Sequence, residues 1–540
     1  MVISVITDVL IVGGGGAGAR CAIECSDKRV VMAVKGLFGK SGCTVMAEGG
    51  YNAVLDPRDN FEKHFLDTLK GGCYINNPKL VEILVKNAPK ELRNLERFGA
   101  LFDRREDGSI AQRPFGGQSF NRTCYSGDRT GHEIMTSLME YSSKLENIRI
   151  IEDVMAVKLI VKGNRCYGAI FLDLIEGRLF PIYATSTVLA TGGAGQIYPI
   201  TTNPLQKVGD GFALAYWEGV ELIDMEMVQF HPTGMVDTGT LVTEAVRGEG
   251  GILYNRYGER FMINYDRERM ELSTRDVVAR AIYSEIKEGR GVKGGVYLDV
   301  SHLGDEVIEE RLETTFKQFL DMGIDIRKEP MIVAPTAHHF MGGIRINERC
   351  ETNIEGLFAC GEVTGGIHGA NRLGGNALAD TQVFGAIAGR SAGEFVEDRG
   401  NIRDKVDVKG VINRIKRDVR EKIERDRGYP IHNLIKDLRG TMGDNVSIVR
   451  EERGLKSALS RIEVLKKSLE GVKLRGVFEI QRYFEFKSML TVAELVTRCA
   501  LERKESRGAH YRSDYPETRE EWRGNLVVSR DGIRFVKSSL

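Results

Sequence analysis

Proline is scarce in this sequence. Twelve of 540 residues are proline, where average usage of about 5% gives roughly 27, which excludes collagen-like, mucin-like and proline-rich linker architectures. Cysteine occurs nine times, at 21, 25, 43, 73, 124, 166, 350, 360 and 499, without a CxxC pair or a CxxCH. That pattern argues against a disulfide framework, a zinc site, a haem attachment or a cluster-binding run. Scattered thiols in odd number predict a reducing, cytoplasmic setting. No apolar stretch approaches about 18 residues, so no membrane insertion is expected. The opening segment 1–16 has no basic residue ahead of its apolar run and carries Asp8 within it, so it reads as a first strand rather than a signal peptide. Net charge is also missing, with 76 basic residues against 76 acidic ones, which argues against nucleic acid as the main partner.

That zero conceals a division. Before residue 400 there are 44 basic and 54 acidic residues, and from residue 400 onward 32 and 22. The basic C-terminal part reads as a docking surface. Glycine, by contrast, is in excess, with 62 residues where about 7% usage gives roughly 38. Fifty-one of them precede residue 400, so the first part of the chain is where bare backbone is needed. The length is three to four times a usual domain of about 150 residues, so several domains are expected.

The apolar run Asp8-Val9-Leu10-Ile11-Val12 leads into Gly13-Gly14-Gly15-Gly16-Ala17-Gly18 and then a helical pattern. This is strand, glycine turn, helix. A second run from Val30 to Val34 completes a βαβ unit and predicts a parallel, doubly wound sheet. Two later strand-like runs end in Gly192-Gly193 and in Gly361-Glu362, which would bring three glycine turns to one sheet edge. In Gly13-x-Gly15-x-x-Gly18 the glycines permit a tight turn, close approach to a pyrophosphate and close helix–strand packing, with the helix N-terminus facing the phosphates. The acidic residue expected after the second strand is replaced by Lys35, which weakens an NAD reading and leaves FAD open. Residues 226 to 335 interrupt the glycine sites and read as an insertion. After residue 400 the pattern becomes helical, as in Ile412, Ile415, Val419 and Ile423, and in Leu455, Leu459, Ile462, Leu465 and Leu469. The last 30 residues read as an irregular tail followed by a hairpin around Arg530-Asp531-Gly532.

The segment from Ser41-Gly42-Cys43-Thr44 to Glu48-Gly49-Gly50 resembles the flavoprotein subunits of succinate dehydrogenase and fumarate reductase. The resemblance continues through Gln112-Arg113-Pro114-Phe115, Gln229-Phe230-His231-Pro232, Thr243-Glu244-Ala245-Val246-Arg247, Ser273-Thr274-Arg275-Asp276, Pro335-Thr336-Ala337-His338-His339, His368-Gly369-Ala370-Asn371-Arg372 and Glu505-Ser506-Arg507. It implies an α/β fold. A Rossmann-like FAD-binding domain (1–225 and 336–398) would be interrupted by an inserted α+β capping domain (226–335). A helical domain (399–506) and a small C-terminal segment (507–540) would follow.

The resemblance also implies roles. FAD would be held by Gly13, Gly15, Ala17 and Gly18, by Lys35, by Ser41, Gly42, Cys43, Thr44, Glu48, Gly49 and Gly50, and by Thr191, Gly192, Asp210, Glu362, Arg372, Ala377 and Leu378. The dicarboxylate, fumarate or succinate, would meet His231, Thr243, His338 and Arg372, with Phe115 and Gly50 beside it. Two cationic clusters suit a dicarboxylate, and a guanidinium suits a planar carboxylate. Reduction of an activated double bond needs a hydride, which reduced flavin supplies, and a proton, whose donor matches Arg275. An arginine acid has a pKa above about 12 and must be reprotonated, and Glu244 and Arg247 match the family's relay positions.

Departures from the family pattern narrow the expectation. Membrane-bound members carry a flavin-linked His where this sequence has Cys43, so non-covalent FAD is expected, with a Cys43 thioether as the alternative, and fumarate reduction is favoured over succinate oxidation. L-aspartate oxidase, the nearest rival, has Glu where Phe115 stands. A flavin electron-transfer scaffold is the non-enzymatic alternative. With no haem or cluster motif in this sequence, a separate iron–sulphur subunit is expected, docking partly on the basic region. One branch of the family fits, the archaeal thiol:fumarate reductases fed by coenzyme M and coenzyme B thiols.

Overall fold

The computed structural model describes residues 4–397 and 406–538; the boundary expected at 398/399 lies outside them. A seven-stranded sheet forms the centre. Its path runs Ile148–Ile151, Val30–Ala33, Val5–Val12, Leu179–Leu189, Arg165–Asp173, Val154–Lys162, with Leu357–Ala359 also paired to Leu179–Leu189. Val9, Leu10 and Ile11 are fully buried, as expected of a strand covered on both faces. Val5–Val12, Leu179–Leu189 and Leu357–Ala359 run parallel side by side. The turns at Gly13, Gly192 and Gly361 therefore emerge at one edge, where strand ends in such sheets present ligands.

The expected all-parallel sheet is corrected in one place. Val154–Lys162 and Arg165–Asp173 are antiparallel to each other, and Arg165–Asp173 is antiparallel to Leu179–Leu189. The reason is local: only Gly163 and Asn164 join the first two strands, and two residues can link antiparallel neighbours but not parallel ones.

The helix Gly16–Glu24 packs on this sheet and against the long helix Asn376–Glu397, which rests on the same sheet. Its approach to the first strand depends on Gly18, because a Cβ there would collide with the Gly13 carbonyl oxygen.

The inserted region has its own four-stranded antiparallel sheet, in the order Val228–Met235, Met331–Phe340, Val296–Asp299, Ile252–Tyr254. It also has a separate core that includes Met235, Val246, Leu253, Phe261, Val278, Ile282, Leu298 and Val333. Helix Arg275–Lys287 packs on strand Val228–Met235, which places Arg275 at a helix start facing the main body.

Among the described residues, four α-helices follow residue 405: Lys409–Ile423, Ile431–Asn445, Glu452–Glu470 and Val477–Glu502. The final hairpin, Gly524–Ser529 with Gly532–Lys537, joins a sheet with Leu222–Ile223 and Gly343–Arg345. It thereby pins segments that precede and follow the insertion. Arg503, fully buried, reinforces this junction by pairing with Glu226 at 2.7 Å and Glu505 at 3.0 Å. Losing one partner there would strand a buried charge, at a cost of about 3–5 kcal/mol. Among the described residues, no helix is long and apolar enough to cross a membrane.

Candidate functional site

Two cavities open at the glycine edge of the central sheet. The narrower, about 80 Å³, is lined by Gly13, Gly15, Lys35, Ser41, Gly42, Thr191 and Asp210 among others. The wider, about 350 Å³, runs from Gly15, Ala17, Cys43 and Thr44 to the inserted region. Gly15 caps helix Gly16–Glu24 without a side-chain hydrogen bond, and the Gly16 N–H donates to Thr44 Oγ1 at 3.2 Å; a helix N-terminus of this kind favours an anion beside it. Thr191 Oγ1 and Asp210 Oδ1 are buried without a partner among the described residues. Each such orphan costs about 1–3 kcal/mol unless a ligand satisfies it. These features fit a dinucleotide such as FAD, whose two halves would occupy the two cavities. Lys35 turns inward to Asp210 at 2.8 Å and Glu485 at 2.7 Å. It ties the end of the second strand to helix Val477–Glu502.

The far end of the wider cavity is made of charged and polar side chains from separate segments. Arg275 meets Glu244 twice, with Nε at 2.9 Å and Nη2 at 2.8 Å from the same carboxylate oxygen. Arg275 Nη1 also donates to Gln229 Oε1 at 3.3 Å, and Arg372 Nη2 donates to that same oxygen at 3.0 Å. One amide oxygen thus joins two guanidinium groups. Gln229 is itself fixed, since its Nε2 donates to Asn371 Oδ1 at 2.6 Å and to the Arg372 carbonyl at 3.0 Å. Burial works to raise the Glu244 carboxyl, but Arg275, Arg247 and the Gly116 N–H outweigh it and bring it down to about 2. Burial, and then the neighbouring charge of Arg275, lowers the Arg372 guanidinium to about 9. Arg372 has no carboxylate in salt-bridge contact among the described residues, so the site has cationic capacity to spare for an anion.

His231 and His338 face each other with ring centroids 5.3 Å apart. Each has Nδ1 occupied, by the Thr233 backbone at 3.1 Å and by Thr202 Oγ1 at 2.9 Å respectively, which turns Nε2 toward the cavity. Burial pushes both imidazoles well below their ordinary range, helped for His231 by Arg275 and for His338 by His231 and Arg275. Both are therefore neutral near neutral pH, and each donates from Nε2 in the tautomer whose Nδ1 accepts, as His231 Nδ1 does from the Thr233 N–H at 3.3 Å. Thr243 caps the short helix Glu244–Gly248. Burial and the nearby Asp128 push the Glu48 carboxyl up to about 8, against Arg113 and Thr243. Burial pushes the Cys43 thiol up to about 12 although Lys207 pulls it down.

The expected residues are largely brought together. Ala17, Cys43, Thr44, Glu48, Gly49, Gly50, Phe115, Gly192, His231, Thr243, Glu244, Arg275, His338, Glu362, Arg372, Ala377 and Leu378 all line the wider cavity. Gly18 and Arg247 line neither cavity. Gly18 acts in packing. Arg247 donates through Nη1 to the Glu271 carbonyl at 2.6 Å, while its Nε and Nη2 are unpartnered among the described residues. It reaches Glu244 through the electric field and not through a hydrogen bond. Gln229 stands inside one of the family motifs, yet an amide does not titrate and nothing local in the sequence assigns it a role. Lys207, Thr202 and Asp380, which also line the wider cavity, sit in no local pattern that marks them.

Comparison with known proteins agrees with this architecture. A family model described as FAD binding domain matches residues 8–378, and one described as fumarate reductase flavoprotein C-term matches residues 435–540. A subunit of the CoM/CoB fumarate reductase of Methanothermobacter marburgensis is 55% identical over 539 residues, covering 97% of each chain. An uncharacterized FAD-dependent oxidoreductase of Methanocaldococcus jannaschii is 72% identical over 536 residues, covering 98% of each. The solved structure of E. coli quinol fumarate reductase FrdA superposes with a TM-score of 0.95 at 33% identity, covering 99% of this chain and 97% of that one. Matched by these family models and relatives over nearly its whole length, the chain belongs to the fumarate reductase and succinate dehydrogenase flavoprotein family of FAD-dependent oxidoreductases.

Proposed function

We propose that this chain is the catalytic flavoprotein subunit of a fumarate reductase, converting fumarate to succinate. The observation that carries the reading is the convergence of Arg275 and Arg372 on Gln229 Oε1, beside two neutral histidines. Bound FAD, when reduced, supplies a hydride to one carbon of the double bond. The other carbon needs a proton, and Arg275 is the donor. Arg372, with the Nε2 groups of His231 and His338 and the Thr243 hydroxyl, holds the carboxylates. A dianion compensates the surplus cation and favours the charged form of Arg372.

Glu244, doubly bonded to Arg275, is the group through which a proton returns once the guanidinium has given its own away. Ionised in the resting site, it takes up that proton and passes it on. Arg247 keeps it ionised through the field of its buried charge. Phe115 offers no partner for a substrate amino group, which favours an unsubstituted dicarboxylate over aspartate.

FAD is held without a covalent bond. A thioether from Cys43 would require its thiolate, and a thiol pushed up to about 12 is a poor source of one at neutral pH. Electrons come from a partner iron–sulphur subunit, docking in part on the basic region after residue 400. The likeness to a chain described as part of a CoM/CoB fumarate reductase supports thiols as their source.

The test is Arg275→Gln. This variant should retain FAD and bind dicarboxylate, yet lose dye-linked fumarate reduction by about two orders of magnitude or more. Substantial remaining turnover would sink the proton-donor role, and turnover of aspartate but not fumarate by the unmodified chain would replace the whole reading.

A further inference from the structure

The two cavities share three lining residues, Gly15, Ala190 and Lys207. Those residues mark the neck through which a ligand occupying both cavities must pass. In FAD the link between the flavin half and the adenosine half is a pyrophosphate, which carries the molecule's negative charge. Gly15 at the neck is also the N-cap of helix Gly16–Glu24, whose N-terminus favours anions.

Lys207 is the cation at this neck. Its backbone is fixed on both sides, with its N–H donating to the Pro204 carbonyl at 3.0 Å and its carbonyl accepting from Gln196 N–H at 3.0 Å. Its ammonium donates to the Thr191 carbonyl at 3.1 Å and has no carboxylate in salt-bridge contact among the described residues. Room for it comes from Gly192, whose φ is +72° and where any Cβ would overlap the Lys207 ammonium. A lysine anchored at its backbone, half-buried and without a counter-ion, is a charge set out for an anionic ligand.

We propose that Lys207 binds the FAD pyrophosphate, pairing with the phosphate oxygens opposite the first turn of helix Gly16–Glu24. The inference rests on FAD as the cofactor and adds a residue to its binding site. It also gives Gly192 a reason: the glycine keeps open the path along which the ammonium reaches the neck.

The test measures FAD binding and phosphorus NMR of the loaded protein. Lys207→Met should weaken FAD at least about tenfold, the loss of one charge-assisted contact, and should shift the bound pyrophosphate resonances. Lys207→Arg should keep most of the affinity. The deficit of Lys207→Met should shrink as salt is raised, because screening weakens the ion pair in the unmodified protein. Melting of the apo-variants within a degree or two of the unmodified apo-protein shows that the fold is intact. Unchanged FAD affinity, or phosphorus resonances that stay in place while the flavin's visible absorption moves, would overturn the inference. If the unmodified chain bound no FAD, the cofactor reading itself would fail instead.

Discussion

Where the two cavities meet the strand ends of the central sheet their wall is mostly backbone, and where the wider one meets the inserted region its wall is mostly charged and polar side chain. Gly13, Gly15, Gly42 and Gly192 come from turns at the ends of adjacent strands, and they act by leaving space. Glu244, Arg275, His338 and Arg372 come from four separate segments, and they act by holding charge out of water. The first kind of wall tolerates change in side-chain chemistry but not in volume. The second tolerates little change in charge, because each buried ion depends on its neighbours.

Gly18→Val should produce the largest effect on the nucleotide side. Its Cβ would collide with the Gly13 carbonyl, so the variant should purify without flavin, or not fold, as read from the visible spectrum and circular dichroism. A flavin-loaded Gly18→Val would show that helix and strand have slack that the packing denies.

On the charged side, Gln229→Leu removes the acceptor shared by Arg275 and Arg372 at nearly constant volume. Two guanidinium groups then repel without an oxygen between them. Dicarboxylate affinity and turnover should both fall by about ten- to a hundredfold, the cost of roughly 1.4–3 kcal/mol, while FAD content stays unchanged. Loss of FAD along with activity would mean that the two walls are less separate than they look.

A smaller effect distinguishes the charges themselves. Glu244 sits at about 2 in the folded chain against an ordinary 4.5. A depressed carboxylate contributes stability above its unfolded value and loses it as pH falls through the folded one. The gap in melting temperature between the unmodified protein and Glu244→Gln should be full at pH 7 and shrink below about pH 4.5. A gap that does not change with pH would assign the effect to shape rather than charge.

Much of the nucleotide wall is legible in the sequence because it is local. Strand, glycine turn and helix lie within 5–24, and the spacing of Gly13, Gly15 and Gly18 expresses the turn and the close packing. The hairpin Val154–Lys162 with Arg165–Asp173 departs from the parallel expectation, although the two-residue Gly163-Asn164 link encodes it. On the charged side, individual motifs locate Arg275, Glu244 and Arg372. Which of them touch is not legible, since 143 residues separate Gln229 from Arg372 and no local pattern relates them. Arg247 shows the reverse, standing three residues from Glu244 in sequence yet bonding to the Glu271 carbonyl instead.

The sequence by itself determined the glycine-rich sheet edge, because periodicity and turn chemistry are properties of short segments, and its family motifs named the arginines and histidines whose burial the fold decides. Only the tertiary structure decided that two guanidinium groups share one amide oxygen, that Lys207 stands at the neck between two cavities, and that Lys35 faces inward to two carboxylates. Those facts depend on the distance between segments remote in the chain, and the energy of a charge is set by what surrounds it in space.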